Sequence, residues 1–314
     1  MVRFYQFYQT QDANIIDYEL YPFDDIELRG PKTNHPNYIA YIGAAQTFGR
    51  YCKKPFPSII GERLNIGTLN FGFGGMGPTY FLNNTTIMDT VNKAELVVVQ
   101  VLSARSISNS IFQSTIGSSF GINMKDGRKM RSDKIFQELF NGKDKRGLDE
   151  KFMRELIEET RQNYVSAMID LLKAIQSPKV LFWFSVRKPQ QCGEIYYRNS
   201  WLKKNIYRFD VIEKVAQSNK FIKRVLNRFD LLEPLGSLGE FPHMVNEEMI
   251  GKIRAFSDFY VECVTKTGLP QVLVDRQGKI VGKNGYYPSP EMHEQASELL
   301  YPVCQSILSS STEQ

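Results

Sequence analysis

Three stretches of this 314-residue chain gather glycine, amide, hydroxyl and arginine side chains at spacings that suit ligand binding. The first is Gly43-Ala44-Ala45-Gln46-Thr47-Phe48-Gly49-Arg50, directly after the apolar run Tyr38 to Ile42. The second is Asn70-Phe71-Gly72-Phe73-Gly74-Gly75-Met76-Gly77-Pro78, at the end of the run Thr68 to Phe71. The third runs from Asn284 to His293. In open α/β sheets the loops at the carboxyl ends of parallel strands collect ligands, because helix N-termini and free backbone N–H groups converge there. Gly72, Gly75 and Gly77 let the main chain turn tightly and approach a ligand closely, and the Asn70 carboxamide can brace the neighbouring loop. Arg50, Arg105 and Arg187 each follow a strand or its loop. Converging on one edge, they would suit a sulfate, phosphate or carboxylate better than a neutral ester. The alternative is three separate surface arginines.

Such loops need a rigid frame. The runs Tyr38 to Ile42, Thr68 to Phe71, Leu96 to Leu102, Val180 to Val186 and Gln271 to Val274 are short and apolar, as in strands buried on both faces of a parallel sheet. Helical spacing appears between them at Phe56 to Leu64, and over Phe152 to Ile175 behind the acidic pair Asp149 and Glu150. Two more helical stripes are Ile250 to Val264, stopped by Gly268 and Pro270, and Leu299 to Leu308. This alternation predicts an α/β fold, a three-layer α/β/α sandwich with a mainly parallel sheet of flavodoxin-like type. Residues 1–35 are expected to pack on the core as an N-terminal extension, residues 36–308 to form the α/β domain, and residues 309–314 to be a flexible tail. The polar segments 103–147 and 187–238 are expected to be inserted helices or loops that form a cap or lid.

The two glycine loops, taken with Asn284-Gly285-Tyr286-Tyr287-Pro288-Ser289-Pro290-Glu291-Met292-His293, resemble the SGNH/GDSL hydrolase family. That family's blocks read roughly GDSxTxG, NxGxxGxG and DGxHPSPxGH. The resemblance covers roughly residues 38–102 and 271–308, and implies the SGNH type of sandwich with ester-hydrolase or acyl-transfer ancestry. It also exposes departures. Matching the blocks puts Ala45 at the nucleophilic serine, Asn284 at the aspartate and Tyr287 at the histidine. An alanine methyl cannot attack a carbonyl, a carboxamide cannot stabilise an imidazolium as a carboxylate does, and a phenol with an ordinary pKa near ~10 is a poor base at neutral pH. The GxND block is replaced by Ser103-Ala104-Arg105-Ser106. The resemblance leaves the oxyanion-hole positions, at Ala45 and Gly75.

Thr47, His293 and His243 are the candidate substitutes. In the family the threonine commonly supports the loop. His293 matches the structural histidine of the closing block and otherwise packs at a helix start, and His243 stands alone in a loop. The resemblance therefore implies a hydrolase-like protein with a degenerate triad. It would bind a small anionic or carbohydrate-type ligand at the former active-site edge, through Gly43, Ala45, Gln46, Thr47, Arg50, Asn70, Gly72, Gly75, Arg105, Arg187 and Tyr287. One alternative is a glycan or cell-envelope O-acyl esterase or group transferase with relocated catalytic residues. Another is a non-enzymatic interaction protein that uses the basic stretch Lys203 to Arg228.

Composition narrows the classes further. Hydrophobic residues at 42% and charged residues at 23% exclude disordered, collagen-like and small disulfide-framework chains. The apolar runs, such as Leu96 to Val99 and Val180 to Phe184, are far short of the roughly 18 residues of a membrane span. The first residues lack a continuous apolar stretch, so a cytoplasmic location is expected. Cys52, Cys192, Cys263 and Cys304 are far apart without a CxxC pair, which argues for reduced thiols and against structural zinc. No His/Cys/Asp grouping has metal-ligand spacing, and Gly72 to Gly77, although it meets the bare GxGxxG spacing, lacks a Lys-Ser/Thr ending, so neither a metal nor another cofactor is expected. The net charge of +5 is concentrated in Lys203 to Arg228 and Lys125 to Arg146, which would attract an anionic partner or simply form solvated helix faces. No nucleic-acid-binding motif accompanies them.

Overall fold

The computed structural model describes residues 7–141, 150–191 and 244–311, with 215, 219, 221 and 222 between the last two stretches. The chain begins with α1 (Phe7–Asp12), the hairpin β1 (Tyr21–Phe23) and β2 (Ile26–Leu28), then β3 (Tyr38–Gly43), α2 (Ala45–Phe48) and α3 (Phe56–Leu64). β4 (Gly67–Gly72), α4 (Pro78–Leu82), α5 (Thr85–Val91) and β5 (Leu96–Gln100) follow. Next come β6 (Phe112–Ser114), β7 (Phe120–Asn123), β8 (Lys129–Arg131), α6 (Ser132–Asn141), α7 (Glu150–Ala174) and β9 (Lys179–Ser185). The last elements are α8 (Glu247–Arg254), β10 (Phe259–Val264), the hairpin β11 (Gln271–Val274) and β12 (Ile280–Asn284), and α9 (Pro290–Ser311).

Five strands form the central sheet in the order β4-β3-β5-β9-β10, and every neighbouring pair is parallel. Alternate residues of each strand enter opposite layers, as a period of two requires. Ile39, Tyr41, Val98 and Phe182 pack with Phe56 and Ile60 of α3 and Met292, Ala296 and Leu300 of α9. Ala40, Ile42, Val97, Val99 and Leu181 pack with Ile87 of α5, Met168 and Leu171 of α7, and Ile250 and Ile253 of α8. Both faces are thus covered, and the molecule is a three-layer α/β/α sandwich with a parallel sheet. β3 has β4 on one side and β5 on the other, so the chain changes winding direction between β3 and β5. In this topology that switch opens a crevice at the carboxyl ends of the strands.

Local chemistry sets the helix limits. Pro55 precedes α3 and Pro57 lies in its first turn, where a missing N–H costs nothing, and Asn65 in the left-handed region at φ 52° closes it. The Asn246 side chain caps α8 by accepting from the Met249 amide, with Glu247 and Glu248 in the first turn and Lys252 and Arg254 in the last.

Three expectations are corrected. The apolar stripe Ile250 to Val264 splits into α8 and the edge strand β10, because the turn after Arg254 delivers Asp258 to accept from the Lys179 amide at 2.7 Å. An apolar run of that length fits helix and buried strand alike, and neighbours decide. Gln271 to Val274 does not join the parallel sheet but pairs antiparallel with β12. Leu273 is buried at 9% while Val272 is exposed at 46%, so this strand covers one face only. Residues 309–311 extend α9, and 312–314 lie outside the described residues. Within segment 103–147 the described residues form the antiparallel sheet β6-β7-β8 and α6. Segment 187–238 lies largely outside them. No described helix is long and apolar enough to cross a membrane.

Candidate functional site

β3 delivers Gly43 to the switch between β3 and β5, and Gln100 ends β5 beside it. The Gln100 Oε1 accepts from the Ala44 amide at 3.1 Å, the Thr47 amide at 3.3 Å and the Thr47 hydroxyl at 2.7 Å. Its Nε2 donates to Gln46 Oε1 at 3.4 Å. One carboxamide therefore ties down the whole turn after β3. A Cβ on Gly43 would collide with the Thr47 hydroxyl, so glycine is required there. Thr47 is buried and its hydroxyl donates to Gln100, so it braces the turn. From the other side Asn70 Nδ2 donates to the Thr47 carbonyl at 2.9 Å, and its Oδ1 accepts from the Gly72 amide at 2.9 Å. The two glycine loops are locked together across Asn70. Ala45, the first residue of α2, is buried, and its methyl carries no hydrogen-bonding group.

Asn284 uses its whole amide to shape the loop into α9. Its Oδ1 accepts from the Tyr286 and Tyr287 amides at 3.1 and 2.9 Å, and its Nδ2 donates to the Tyr287 carbonyl at 2.9 Å and to Gln271 Oε1 at 3.0 Å. A carboxylate has no proton for the last two bonds. That loop presents the Tyr287 hydroxyl to Arg50, whose Nη1 donates to it at 2.9 Å. Arg50 in turn grips Asp12 of α1 with both ends of its fork, at 2.8 and 2.9 Å. Its guanidinium lies 4.4, 4.8 and 4.9 Å from the ring centroids of Tyr8, Tyr51 and Tyr287. Burial alone would lower the Arg50 pKa, but Asp12 and Tyr287 outweigh it and hold the cation firmly charged. Burial, reinforced by Tyr287, raises the Tyr8 phenol, so it stays protonated.

Gly75 sits at φ 81°, a left-handed conformation suited to glycine. Its carbonyl accepts from the Ser119 amide at 2.7 Å, and the Gly77 amide donates to the Gly117 carbonyl at 2.9 Å, so the turn between β6 and β7 leans on the second glycine loop. The Tyr8 hydroxyl lies against Gly74. α1 thus reaches both the Gly74–Gly75 turn and Tyr287.

The three arginines divide. Arg105, in the turn after β5, donates from Nη1 to the Tyr286 hydroxyl at 2.9 Å, so Arg50 and Arg105 meet the same loop through adjacent tyrosines. Arg187, beyond β9, has its Nη1 4.0 Å from Met244 Sδ, and its carbonyl accepts from Trp183 Nε1 at 2.8 Å. His293 is fully buried between Phe56 and Phe184, with Nδ1 accepting from the Phe56 amide at 3.3 Å. Burial, with Arg29 as a lesser cause, lowers its pKa to about 3. It is a neutral core residue and does not serve the site as a base. His243 and most of the basic stretch 203–228 lie outside the described residues. Among the described residues no group of three His, Cys, Asp or Glu could hold a metal ion.

Sequence reasoning missed Tyr8, Asp12, Arg29 and Gln100 as parts of this site. Gln100 carried a usable signal, a polar side chain ending an otherwise apolar run. Asp12 had none, since it lies 38 residues from its partner. Arg29 is only 3% exposed and donates to the carbonyls of Gly49, Cys52 and Lys53 at 3.3, 2.6 and 3.0 Å. It thereby holds the loop that carries Arg50 and Tyr51.

Residues 7–115 match the family model of a domain of unknown function, DUF6473. That segment contains Asp12, Arg29, Ala45, Arg50, Asn70 and Gln100. No curated protein matches the chain. Among solved structures it is similar to a lipase from a goat rumen metagenome, at 12% identity over 85% of this chain and 96% of that one, with a TM-score of 0.39. It is similar to an acetylxylan esterase from Geobacillus stearothermophilus at 10% identity over 88% and 96% of the two chains, with a TM-score of 0.35. A carbohydrate esterase family 2 enzyme with a carbohydrate binding domain from Corynascus thermopiles (Myceliophthora fergusii) aligns at 12% identity over 90% of this chain and 69% of that one, with a TM-score of 0.37.

Proposed function

We propose that this chain is an SGNH-hydrolase-like protein with a degenerate triad, which binds a carbohydrate-type ligand at the carboxyl edge of its sheet and does not hydrolyse esters. One observation carries the reading. The three positions that the motif blocks assign to chemistry hold a buried methyl at Ala45, an amide spent on its own loop and on Gln271 at Asn284, and a phenol bonded to Arg50 at Tyr287. Nothing in that set supplies both a nucleophile and a proton acceptor.

The surroundings favour binding. Tyr286 is 53% exposed, its hydroxyl is held by Arg105, and its ring stands edge-on to Tyr287 at 5.0 Å. An exposed ring fixed at its rim suits stacking on the apolar face of a sugar, with guanidinium and phenol groups beside it for hydroxyl or acidic substituents.

Two tests follow from this geometry. Ala45→Ser restores a hydroxyl but no base, and a positioned base alone contributes about 10²–10⁴-fold. Neither the unmodified protein nor Ala45→Ser is expected to release 4-nitrophenol from 4-nitrophenyl acetate above the buffer rate, and robust turnover by the unmodified protein would refute the reading. In calorimetric titrations with xylohexaose, sodium glucuronate and glucose, Tyr286→Ala is expected to weaken whichever of them binds by about tenfold, the value of one aromatic contact. Absence of binding by all three would remove the proposal.

A further inference from the structure

We infer that the Asp12 carboxylate is an internal stand-in for the acidic group of the ligand, so that the site takes an acidic saccharide and α1 gives up its place on Arg50 when that ligand arrives. The inference rests on the binding function proposed above and names its substrate class and its regulation.

The geometry of Arg50 carries it. Its guanidinium stands on the loop directly after α2, at the sheet edge where the two glycine loops meet, and is flanked by Tyr51 and Tyr287, with Tyr8 of α1 closing the ring while α1 is docked. A planar cation framed by aromatic rings is a receptor for a planar two-oxygen anion, because both ends of its fork are used at once. Here a carboxylate already fills that receptor, and it comes from a six-residue helix at the other end of the domain's first segment. The other described ties of α1 to the site are both aromatic and polar: Tyr8 stands edge-on to Tyr287 at 6.3 Å and sets its hydroxyl against Gly74. The Tyr18 hydroxyl donates to Asp12 at 2.8 Å, Arg50 Nη2 donates to Gln11 at 3.1 Å, and Tyr8 packs on Phe48 at 5.2 Å between centroids.

A uronate would present the same two oxygens to Arg50, so the ion pair is exchanged and not lost. Its sugar ring would add contact with Tyr51 and Tyr286, which α1 leaves partly exposed. A neutral sugar gains nothing from Arg50 and has no means to displace Asp12. The apparent affinity for the acidic ligand is therefore reduced by the fraction of molecules in which α1 is docked, and removing the Asp12 charge lifts that reduction.

The test uses the full chain, with sodium glucuronate and glucose as probes. Asp12→Asn keeps an acceptor for the Tyr18 hydroxyl but loses the anion. It is expected to tighten glucuronate binding by about tenfold or more while leaving glucose within about twofold. In the unmodified protein, glucuronate and not glucose is expected to speed amide hydrogen exchange across residues 7–18. The exchange measurement decides alone if Asp12→Asn fails to fold. Glucuronate that binds Asp12→Asn no more tightly, or leaves exchange in residues 7–18 unchanged, overturns the inference. In that case Tyr286-dependent sugar binding would still stand. Absence of binding by glucuronate to either protein overturns the inference, and the reading beneath it falls too only if glucose and xylohexaose also fail to bind.

Discussion

Arg29→Met is expected to lower the unfolding free energy by about 3–5 kcal/mol, one of the largest losses available to a single side chain in this molecule. Methionine fills much of the same volume, so the cavity contribution stays small and the loss reports hydrogen bonding. Three carbonyls, those of Gly49, Cys52 and Lys53, would lose their donor. Each unsatisfied buried acceptor costs about 1–3 kcal/mol, and partial rehydration of the loop brings the sum into the stated range. The guanidinium is also sandwiched 4.7 Å from the Tyr18 ring and 5.2 Å from the Phe48 ring, contacts that methionine replaces only in part. Burial strips it of water, which outweighs the opposing pull of Cys52, Tyr18 and Glu19 and lowers its pKa to about 10. Urea denaturation reads the result as a lower midpoint at unchanged slope. A shift worth less than about 1 kcal/mol would mean that the loop carrying Arg50 is held by something else.

The second large effect is a loss of stability in acid that originates at one residue. His293 has a folded-state pKa of about 3, against an ordinary value near ~6.5 in the unfolded chain. Between those values the unfolded chain binds a proton that the folded chain refuses. Stability is therefore full above the unfolded value, falls by about 1.4 kcal/mol per pH unit as the pH drops, and levels off below the folded value. The total for this residue is about 5 kcal/mol. His293→Asn keeps an acceptor for the Phe56 amide and has no titration. The acid slope of its stability, measured by denaturation at a series of pH values, is expected to be flatter by about one proton. Equal slopes in the two proteins would show that the imidazole is not buried as described. The Nε2 of His293 finds no hydrogen-bond partner among the described residues, so the substitution removes an orphaned donor as well.

The parallel sheet was legible where a strand is buried on both faces. Tyr38 to Ile42 and Val180 to Phe184 are continuous apolar runs, and such runs have few other places to go. Legibility failed where periodicity is ambiguous. Phe259, Tyr260, Val261 and Cys263 satisfy a helical stripe about as well as a buried strand, and only pairing with β9 separates the two. At the site, the loops of Gly43 and Gly75 were visible because tight turns demand glycine. The two arginines that meet the Tyr286–Tyr287 loop were visible only as candidates, and nothing in the spacing separated them from Arg187, whose guanidinium turns to Met244.

From its sequence alone this chain's layered α/β plan, its glycine turns and the unreactive methyl at Ala45 were determined, because backbone conformation and covalent reactivity belong to residues and their near neighbours. The tertiary structure decided what each polar group is spent on: Thr47 on Gln100, Asn284 on its own loop, Arg50 on Asp12, and His293 on the core. Hydrogen bonds act over about 3 Å and desolvation depends on what surrounds a group in space. Partners that are far apart in the chain become the governing term only once the layers have closed around them.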